Sequence, residues 1–505
     1  MIAASRQNKP AGTPAERRRT LFSWLSGLLV CGVGLVRVGY LVAHPETAIG
    51  AVPDDAFYYL KLAQNRVLLG VWTFDGVSPT SGFHLLHAYG LVVLDLILWP
   101  AASSWLLMLA VVGTLASICL GFATVLTVLA AQRVHGNDSW SWAALVVLSP
   151  PFMMISTFMM ESHLVVLAAA ATLYAASGTA RLSAGAQVGI ASLGLISSLS
   201  RSDFVLFPVF LWLCCALYRK ADPARYHRAS LLLVGGLAGF VVTSAHSWAL
   251  SGTLLQTSVR TKLGWSQLAA PGPWTPGLVL NVAGFVLVAS YAVVTSRRDG
   301  SMKLLAEPLA LGCLLTISAY AALYSLAGKG LQAWYSASLM VPLAFILCAL
   351  GVGSSQRLHQ IIAAIAAVGC LVLTLSQLNQ QLWPWQVGML HAAERLQANA
   401  DLAHIGSWNA GILAVLSGKQ VTNLDGLVDD DAAAANERGQ LLDYLRRRQI
   451  DYVVDHADAV TQPESGKPDQ RLIRCLLPVA VLSNADDPMS GSGPVTLLRL
   501  LPNCG

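Results

Sequence analysis

The sequence predicts an all-α polytopic membrane protein with a small α/β domain at its C-terminal end. Of its 505 residues, 55% are hydrophobic and 12% are charged, whereas a soluble globular chain carries about 25% charged residues. The apolar residues come in blocks of about 16 to 28, near the length that crosses a hydrocarbon core of roughly 30 Å. After residue 380 the charge density rises to that of a soluble domain, and no later apolar run is long enough to span.

The apolar blocks predict about eleven transmembrane helices. No signal-peptide cleavage site follows the first block, so we expect that block to remain as a membrane helix. The predicted spans are residues 20–42, 103–130, 140–158, 163–179, 185–200, 203–218, 229–248, 277–295, 304–326, 335–353 and 359–377.

Basic residues predict the orientation, because cytoplasmic loops are enriched in lysine and arginine. An arginine triplet at residues 17–19 directly precedes the first block and predicts a cytoplasmic N-terminal tail, residues 1–19. The loop that holds Arg219 and Arg228 is predicted to be cytoplasmic as well. The net charge of +5 is spread over such loops and gives no indication of nucleic-acid binding.

The short apolar stretch 85–100 decides the topology. Residues 43–84 are predicted to lie outside and Arg133 inside, so an odd number of crossings must separate them. We therefore interpret 85–100 as a helix at the outer surface and the following block as the second span. The resulting segments are a first outer loop at 43–102, a transmembrane domain at 20–379 and an extracytoplasmic domain at 380–505.

Strands and helices alternate in the C-terminal domain, which predicts an α/β fold. IGSWNAGILAVLSG predicts a strand and then a helix, KQVTNLDG a strand and a turn, NERGQLLDYLRRRQ a helix, and IDYVVDHA a strand. The three aspartates at 429–431 predict a helix start. Cys475 and Cys504 can pair if this domain lies outside the cytoplasm, or both can be free thiols.

Ionisable residues are predicted to gather at the outer ends of the helices, and such groups mark function by default because their burial is costly. The carboxylates Asp54, Asp55 and Glu161 come early in the chain, and cations come later. This combination suits a general base beside a site for an anionic group such as a phosphate. The candidate binding residues on this side are Tyr58, Lys61, His84, His163, Arg201, Arg260, Lys262 and Tyr335.

Each of these candidates also has a structural interpretation. Asp54 precedes a helical pattern as a natural N-cap, with Asp55 in the first turn, where the helix dipole favours a carboxylate. Glu161 can lie in headgroup water, and Arg201 and Lys262 can extend toward lipid phosphates.

The sequence assigns no cofactor. It contains neither a nucleotide-binding loop nor a zinc-ligand spacing. Adjacent carboxylates can contribute to a divalent-metal site, although the first outer loop supplies too few ligands for one on its own.

Several short motifs, taken in order, resemble those of bacterial membrane glycosyltransferases of the GT-C fold. DDAFYYLKLAQN and TFDGVSPTSGFHLLH are similar to the first outer loop in the lineage of protein O-mannosyltransferases and lipid A aminoarabinose transferases. MMES, LSRSDFVLFP, SGTLLQTSVRTK, WYS and WNAG…VTNLDGLVDD follow, so the resemblance covers most of the chain. The chain departs from the family pattern at Leu85 and Gln256, where proline is usual or frequent, and at Met159, where glycine is usual.

The resemblance implies a transferase that moves a sugar from a polyprenyl-phosphate carrier to an envelope glycan, lipid or protein. The reaction would take place at the outer face of the bacterial cytoplasmic membrane, without a metal or cofactor that the motifs identify. One acid of the Asp54–Asp55 pair would be the base, with Asp54 the preferred candidate, and Glu161 matches a second acidic position. Arg201 and Lys262 are candidates for the carrier phosphate, and a single displacement would invert the anomeric carbon.

Two other functions compete with this hypothesis. The first is a flippase for a lipid-linked sugar, but a transporter should carry ionisable groups or broken helices near the middle of the membrane. Here the ionisable groups gather at one face. The second is a catalytically silent scaffold whose outer domain binds envelope enzymes.

The predicted topology can be tested by labelling single cysteines in a variant whose native cysteines are replaced by serine. We expect a cysteine at Ala102 to react with a membrane-impermeant thiol reagent from outside, and one at Ser139 to react only from the cytoplasmic side. Labelling of position 102 from the cytoplasm alone would show that 85–100 crosses the membrane.

Overall fold

The computed structural model describes residues 14–98, 104–135, 140–268, 307–326, 334–351, 357–461, 469–488, 493–502 and 504. Helices dominate up to residue 398, and a five-stranded sheet follows. The helices are α1 (Pro14–Ala43), α2 (Pro45–Ala51), α3 (Asp54–Leu69), α4 (Leu85–Leu98), α5 (Trp105–His135), α6 (Trp140–Val147), α7 (Pro150–Met154), α8 (Ser162–Ala176), α9 (Ala184–Ser200), α10 (Leu206–Leu217), α11 (Pro223–Ser251), α12 (Thr257–Leu268), α13 (Pro308–Leu326), α14 (Ala337–Gly351), α15 (Arg357–Ser376), α16 (Gln386–Ala398), α17 (Ala410–Leu416), α18 (Asp430–Arg438), α19 (Leu441–Arg447), α20 (Ala457–Thr461) and α21 (Gln470–Cys475).

Three helices are long and apolar enough to cross a membrane, namely Thr20–Ala43 of α1, α5 and α11. Seven shorter apolar helices of 10–17 residues accompany them in the part of the chain that is described. The protein is therefore a polytopic membrane protein. The predicted count of eleven spans is not confirmed, and the predicted span 277–295 lies outside the described residues.

The predicted span 140–158 is interrupted, so the prediction of one continuous helix is wrong. α6 ends at Val147, α7 begins at Pro150, and a 3₁₀ turn follows at Ile155–Thr157. Proline has no N–H to donate and its ring blocks the preceding turn, so a helix does not continue across it. Pro150 instead occupies the start of α7, where the missing N–H has no cost.

Glycines bring α9 and α11 close together. A Cβ atom added to Gly194 would lie 2.2 Å from the carbonyl oxygen of Leu232, and one added to Gly235 would lie 1.8 Å from that of Ala191. Small residues allow this approach in membrane helix pairs. This close contact between α9 and α11 fixes the position of the C-terminal end of α9, which is followed directly by Arg201.

The first outer loop contains α2, α3 and α4. α3 ends at Gly70, whose φ of 75° is the left-handed conformation typical of a helix end. α4 has 14 residues and is therefore about 21 Å long, which is shorter than the hydrocarbon core. Its location at the membrane surface stays a prediction.

The C-terminal sheet has the order β2-β1-β3-β5-β4. Its first three strands are parallel, and β5 is antiparallel to both β3 and β4. The strands are β1 (Ile405–Ser407), β2 (Val421–Asn423), β3 (Tyr452–His456), β4 (Leu476–Val481) and β5 (Val495–Leu500). The carboxyl ends of the parallel strands β1 and β2 lie against α3 of the first outer loop, where they place the loops Trp408–Asn409 and Leu424–Asp425.

The predicted α/β alternation is confirmed for β1, α17, β2 and β3, and Asp429 caps α18 by accepting the N–H of Ala432. The segment NERGQLLDYLRRRQ is not one helix, because Gly439 with φ 63° separates α18 from α19. β4 and β5 were not predicted from the sequence. Of the two alternatives for the cysteines, the structure has the disulfide between Cys475 and Cys504, whose Cα atoms are 5.3 Å apart.

Candidate active site

Asp54 is the first residue of α3, and Pro53 occupies the N-cap position without a side-chain hydrogen bond. The interpretation of Asp54 as the cap of its own helix is therefore wrong. Its carboxylate instead accepts the main-chain N–H groups of Gly411 at 3.1 Å and Ile412 at 2.8 Å. These groups lie in the first turn of α17, whose own N-cap residue Asn409 makes no side-chain cap. Asp54 thus caps a helix of the C-terminal domain.

Two glycines allow the C-terminal domain to approach the first outer loop. A Cβ atom on Gly411 would lie 2.4 Å from the main-chain oxygen of Asp54, and one on Gly82 would lie 2.1 Å from that of Leu427. Gly411 belongs to the motif WNAG and Gly82 to the motif TSGFH. In each motif, the glycine is therefore needed because a side chain at its position would clash with the other part of the chain.

Burial is the main influence on the charge of Asp54. It raises the pKa of this carboxyl group from 3.8 to about 7, although the two N–H donors of α17 favour the ionised form. The negative charges of Asp55 and Asp455 raise the pKa further. Asp54 is therefore only partly ionised at neutral pH.

Tyr58 joins α3 to the carboxyl ends of β1 and β2. Its hydroxyl oxygen is 2.9 Å from the carbonyl oxygen of Trp408 and 3.1 Å from Oδ2 of Asp425, and it accepts a hydrogen bond from Asn423. Burial raises the pKa of Asp425 to about 8, so this carboxyl group is largely protonated at neutral pH. Trp408 and Asp425 thus serve the contact between domains as strand ends and turns.

A cleft beside α3 brings six of the predicted candidates together. Its walls come from α3, the loop before α4, the turn before α8, α12, the start of the segment before α14, and the loop after β2. The void measures about 40 Å³ and is lined by Asp55, Tyr58, Tyr59, Leu62, Gly82, His84, Met160, Glu161, Ser258, Lys262, Trp334, Tyr335, Leu427 and Val428.

Asp55 and Lys262 face each other across this cleft. Nζ of Lys262 lies 3.9 Å from Oδ2 of Asp55 and donates a hydrogen bond to the hydroxyl of Tyr335. The Lys262 side chain is 30% exposed and the Asp55 side chain 23% exposed, so both are accessible from the void. Burial would lower the pKa of Lys262, but Tyr335 and Asp55 hold that pKa above its ordinary value, and the ammonium group stays charged.

Arg201 lies behind Tyr335 and is 2% exposed. Its Nε and Nη2 atoms are each 2.9 Å from a carboxylate oxygen of Asp203, and Nη2 also donates to the hydroxyl of Tyr324. The guanidinium carbon is 4.6 Å from the centroid of the Tyr335 ring. Among the described residues, the buried Nη1 atom has no hydrogen-bond partner.

Glu161 is 1% exposed and lies at the start of α8. Its Oε2 atom accepts a hydrogen bond from Tyr59 at 3.3 Å, and its Oε1 atom is 3.7 Å from Nε2 of His84. Within the described part of the chain, Oε1 has no hydrogen-bond partner. Burial alone would raise the pKa of Glu161, but His84 and Arg201 hold it below its ordinary value.

Five of the eleven predicted candidates do not line the cleft. Asp54 and Arg201 are described above, and the other three face other surroundings. Lys61 faces a second cavity. His163 packs against His87, with ring centroids 5.8 Å apart. Arg260 forms an ion pair with Asp430 at the start of α18 and so links α12 to the C-terminal domain.

Tyr324 and Trp334 also border the site, although neither was predicted as a site residue from the sequence. The Tyr324 ring stacks on that of Tyr335 with centroids 4.8 Å apart and an interplanar angle of 15°. For Tyr324, the one indication in the sequence is that a tyrosine lies near one end of a predicted span. Trp334 adjoins Tyr335 in the motif WYS and contributes an aromatic wall.

No metal site can be assigned. Among the residues that the structure describes, no three His, Cys, Asp or Glu side chains are grouped so that they could hold a metal ion. We therefore assign no residue to the divalent metal that the sequence allowed.

No protein-family model and no curated protein matches the sequence, but solved structures match its fold. The crystal structure of ArnT from Cupriavidus metallidurans, bound to undecaprenyl phosphate, has a TM-score of 0.57 and 12% identity. That match covers 93% of this chain and 98% of ArnT. ArnT is an aminoarabinose transferase of the GT-C fold.

Two archaeal structures from Archaeoglobus fulgidus are also similar. The oligosaccharyltransferase tethered to an acceptor peptide has a TM-score of 0.54 and 12% identity, over 92% of this chain and 75% of that one. The oligosaccharyltransferase AglB with an inhibitory peptide and a dolichol-phosphate has a TM-score of 0.53 and 13% identity, over 88% and 70%. These similarities confirm the predicted GT-C fold.

We expect Asp54→Ala to loosen α17, because the substitution leaves the N–H groups of Gly411 and Ile412 without an acceptor. Loss of a helix cap costs about 1 kcal/mol. Hydrogen–deuterium exchange at pH 6 should be faster over residues 410–416. Asp401→Ala, at an exposed turn of the same domain, is the control and should leave this exchange unchanged; exchange at the wild-type rate in Asp54→Ala would contradict the capping role.

Asp54 should also make stability depend on pH. Between pH 3.8 and about 7 the folded protein binds more protons at this position than the unfolded chain, so Asp54 reduces stability as pH rises through this window and has no further effect above it. Asparagine does not titrate. The Tm of the wild type minus that of Asp54→Asn should therefore fall from pH 4 to 7 and then level off, and a constant difference would show that Asp54 is not the titrating group.

Proposed function

We propose that the protein is a glycosyltransferase that moves a sugar from a polyprenyl-phosphate carrier to an envelope acceptor. The observation that most strongly supports this proposal is the cleft, where the carboxylate of Asp55 faces the ammonium group of Lys262 within a GT-C fold. The undecaprenyl phosphate and dolichol-phosphate bound by two structural neighbours support a polyprenyl-phosphate donor. The proposed location is the outer face of the bacterial cytoplasmic membrane.

The geometry favours Asp55 over Asp54 as the general base. Asp55 lines the cleft, whereas both carboxylate oxygens of Asp54 are occupied by N–H groups of α17. A general base must lie within hydrogen-bond reach of the proton that it removes. This assignment reverses the preference for Asp54 that the sequence alone suggested. In the proposal Asp54 is a positioning residue that fixes the first turn of α3.

The positive groups suit the leaving phosphate. The ammonium group of Lys262 borders the void, and the guanidinium group of Arg201 lies against the Tyr335 ring. As the bond between the anomeric carbon and the phosphate oxygen breaks, negative charge grows on that oxygen. Preorganised cations stabilise such charge most strongly where water is excluded. Nη1 of Arg201 has no hydrogen-bond partner among the described residues, and in the proposal it donates to the phosphate.

The proposed step is a single displacement. Asp55 accepts the proton of an acceptor hydroxyl while the hydroxyl oxygen forms a bond to the anomeric carbon. The electron pair of the broken bond remains on the carrier phosphate, which leaves as polyprenyl phosphate. Attack from the face opposite the leaving group inverts the anomeric carbon.

Glu161 serves this step as a positioning residue. It holds the hydroxyl of Tyr59, which in turn accepts the main-chain N–H of His84. These contacts fix two walls of the cleft. Its second carboxylate oxygen, 3.7 Å from Nε2 of His84, has no hydrogen-bond partner among the described residues and in the proposal accepts a hydrogen bond from a hydroxyl of the acceptor or the sugar.

The cleft must widen when substrates bind. Small-molecule sites usually have volumes of roughly 300 to 1,000 Å³, whereas the void here is about 40 Å³. Leu427 and Val428 from the C-terminal domain and Ser258 from α12 form walls that do not belong to the transmembrane helices. We infer that these walls move apart to admit the sugar.

The test is turnover of radiolabelled polyprenyl-phosphate hexoses and pentoses by purified protein in lipid nanodiscs. Loss of a general base reduces rates by about 10²- to 10⁴-fold, so we expect a loss of this size in Asp55→Asn. Asp54→Asn is the matched control, since it changes the same group at the adjacent position, and it should retain activity within about tenfold.

Circular dichroism and gel filtration should show that both variants fold. Full turnover in Asp55→Asn would exclude it as the base. A larger loss in Asp54→Asn than in Asp55→Asn would return the role to Asp54.

A further inference from the structure

A second cavity lies between the first outer loop and the C-terminal domain. It encloses about 310 Å³, at the lower end of the range of small-molecule sites. Its lining is mostly polar and includes Lys61, Asn65, Asp75, Gly76, Lys419 and Gln420. None of these residues lines the cleft described above.

The negative charge in the lining of this cavity is already compensated. The Oδ1 atom of Asp75 accepts hydrogen bonds from Thr73 and from the N–H groups of Val77 and Ser78. Its Oδ2 atom pairs with Arg448 of the C-terminal domain. The carboxylate therefore holds the two walls together and does not neutralise other cations.

Two ammonium groups in the lining have no carboxylate partner among the described residues. Lys61 makes no hydrogen bond or ion pair to any of those residues, and burial alone lowers its pKa. Nζ of Lys419 donates to the main-chain oxygens of Asn399 and Ala400. A partly buried cation without a partner favours an anionic ligand, because a charge-assisted hydrogen bond to it replaces lost water.

The cavity and the cleft border the same helix. Lys61 follows Asp55 by six residues, which corresponds to about 9 Å along the axis of α3 and a rotation of roughly 120°. An extended molecule can therefore occupy both places. The side-chain amide of Gln420, whose Nε2 atom donates to the main-chain oxygen of Asp75, also lines the cavity and is a group of the kind that sugar hydroxyls bind.

We propose that this cavity binds an anionic saccharide unit of the acceptor, next to the unit whose hydroxyl group is presented to Asp55. This inference rests on the proposed glycosyl transfer and narrows its acceptor to a negatively charged, hydroxyl-rich glycan. The ammonium group of Lys61 binds the carboxylate or phosphate of that unit, and the surrounding polar groups bind its hydroxyls.

Equilibrium binding tests the inference without relying on turnover. Full-length protein in nanodiscs is titrated with tetragalacturonate, with maltotetraose as a neutral tetrasaccharide, and with inorganic phosphate as a plain anion. We expect tetragalacturonate to bind at least tenfold more tightly than either of the others, because it alone carries both charge and hydroxyl groups.

Variants locate the site. Lys61→Met should weaken tetragalacturonate binding about tenfold or more, the usual effect of losing one charge-assisted hydrogen bond, and Lys61→Arg should largely restore it. Lys220→Met removes the same charge from an exposed position and should have no effect. Asp55→Asn should bind tetragalacturonate normally while losing transfer, so failure of the cavity proposal and failure of the proposed function give different results.

Three results would overturn the inference. Equal affinity for tetragalacturonate and maltotetraose would show that charge is not recognised. Phosphate affinity equal to that of tetragalacturonate would show a simple anion site without saccharide specificity. Unchanged tetragalacturonate binding in Lys61→Met would place the glycan elsewhere.

Discussion

The contact on which the site depends is the cap that Asp54 makes on α17. One carboxylate accepts hydrogen bonds from two N–H groups of a helix that lies about 357 residues further along the chain. This contact fixes the position of the C-terminal domain against the first outer loop. A hydrogen-bond acceptor at a helix N-terminus satisfies groups that would otherwise be buried and unpaired. Because Asp54 is the first residue of α3, the same contact fixes the direction of the helix that carries Asp55 and Tyr58.

Most charged groups in and beside the cleft are paired with each other, but a few polar atoms there make no hydrogen bond to a described residue. Lys262 is held by Tyr335 and Asp55, and Arg201 by Asp203 and Tyr324. Among the described residues, however, Oε1 of Glu161 and Nη1 of Arg201 have no hydrogen-bond partner, although that oxygen lies 3.7 Å from Nε2 of His84. A buried unpaired polar group costs about 1–3 kcal/mol, and such groups need an explanation when a folded protein keeps them. In the proposed reaction, a phosphorylated sugar supplies a hydroxyl to Glu161 and a phosphate oxygen to Arg201.

The sequence predicted those features that depend on composition and local pattern. Hydropathy located most of the helices, and the order of basic loops placed Asp55, Glu161 and Lys262 on one side, where the structure brings them together. The sequence favoured Asp54 over Asp55. Adjacent residues on a helix point in different directions, and the contact that Asp54 makes with the distant α17 cannot be read from the local pattern. Lys61 and Arg260 were predicted at the same site because the sequence does not show which way a side chain points. In the structure each of them faces another surface. Pro150 and Gly439 interrupt predicted helices because proline lacks an N–H donor and glycine readily adopts the left-handed conformation that ends a helix. Hydropathy does not measure either property.

The turn before Glu161 shows how the chain keeps its site despite an unusual residue. Met159 has a φ of 53°, a left-handed conformation that costs a non-glycine residue roughly 1–2 kcal/mol. Its side chain is 1% exposed, and burial of a methionine contributes roughly 1.5–3 kcal/mol, so the gain from packing offsets the strain. Nε2 of His87, in α4, donates to the Met159 carbonyl at 3.0 Å and holds the turn from outside. α4 therefore supports Glu161, and methionine in place of glycine is compatible with an ordered site.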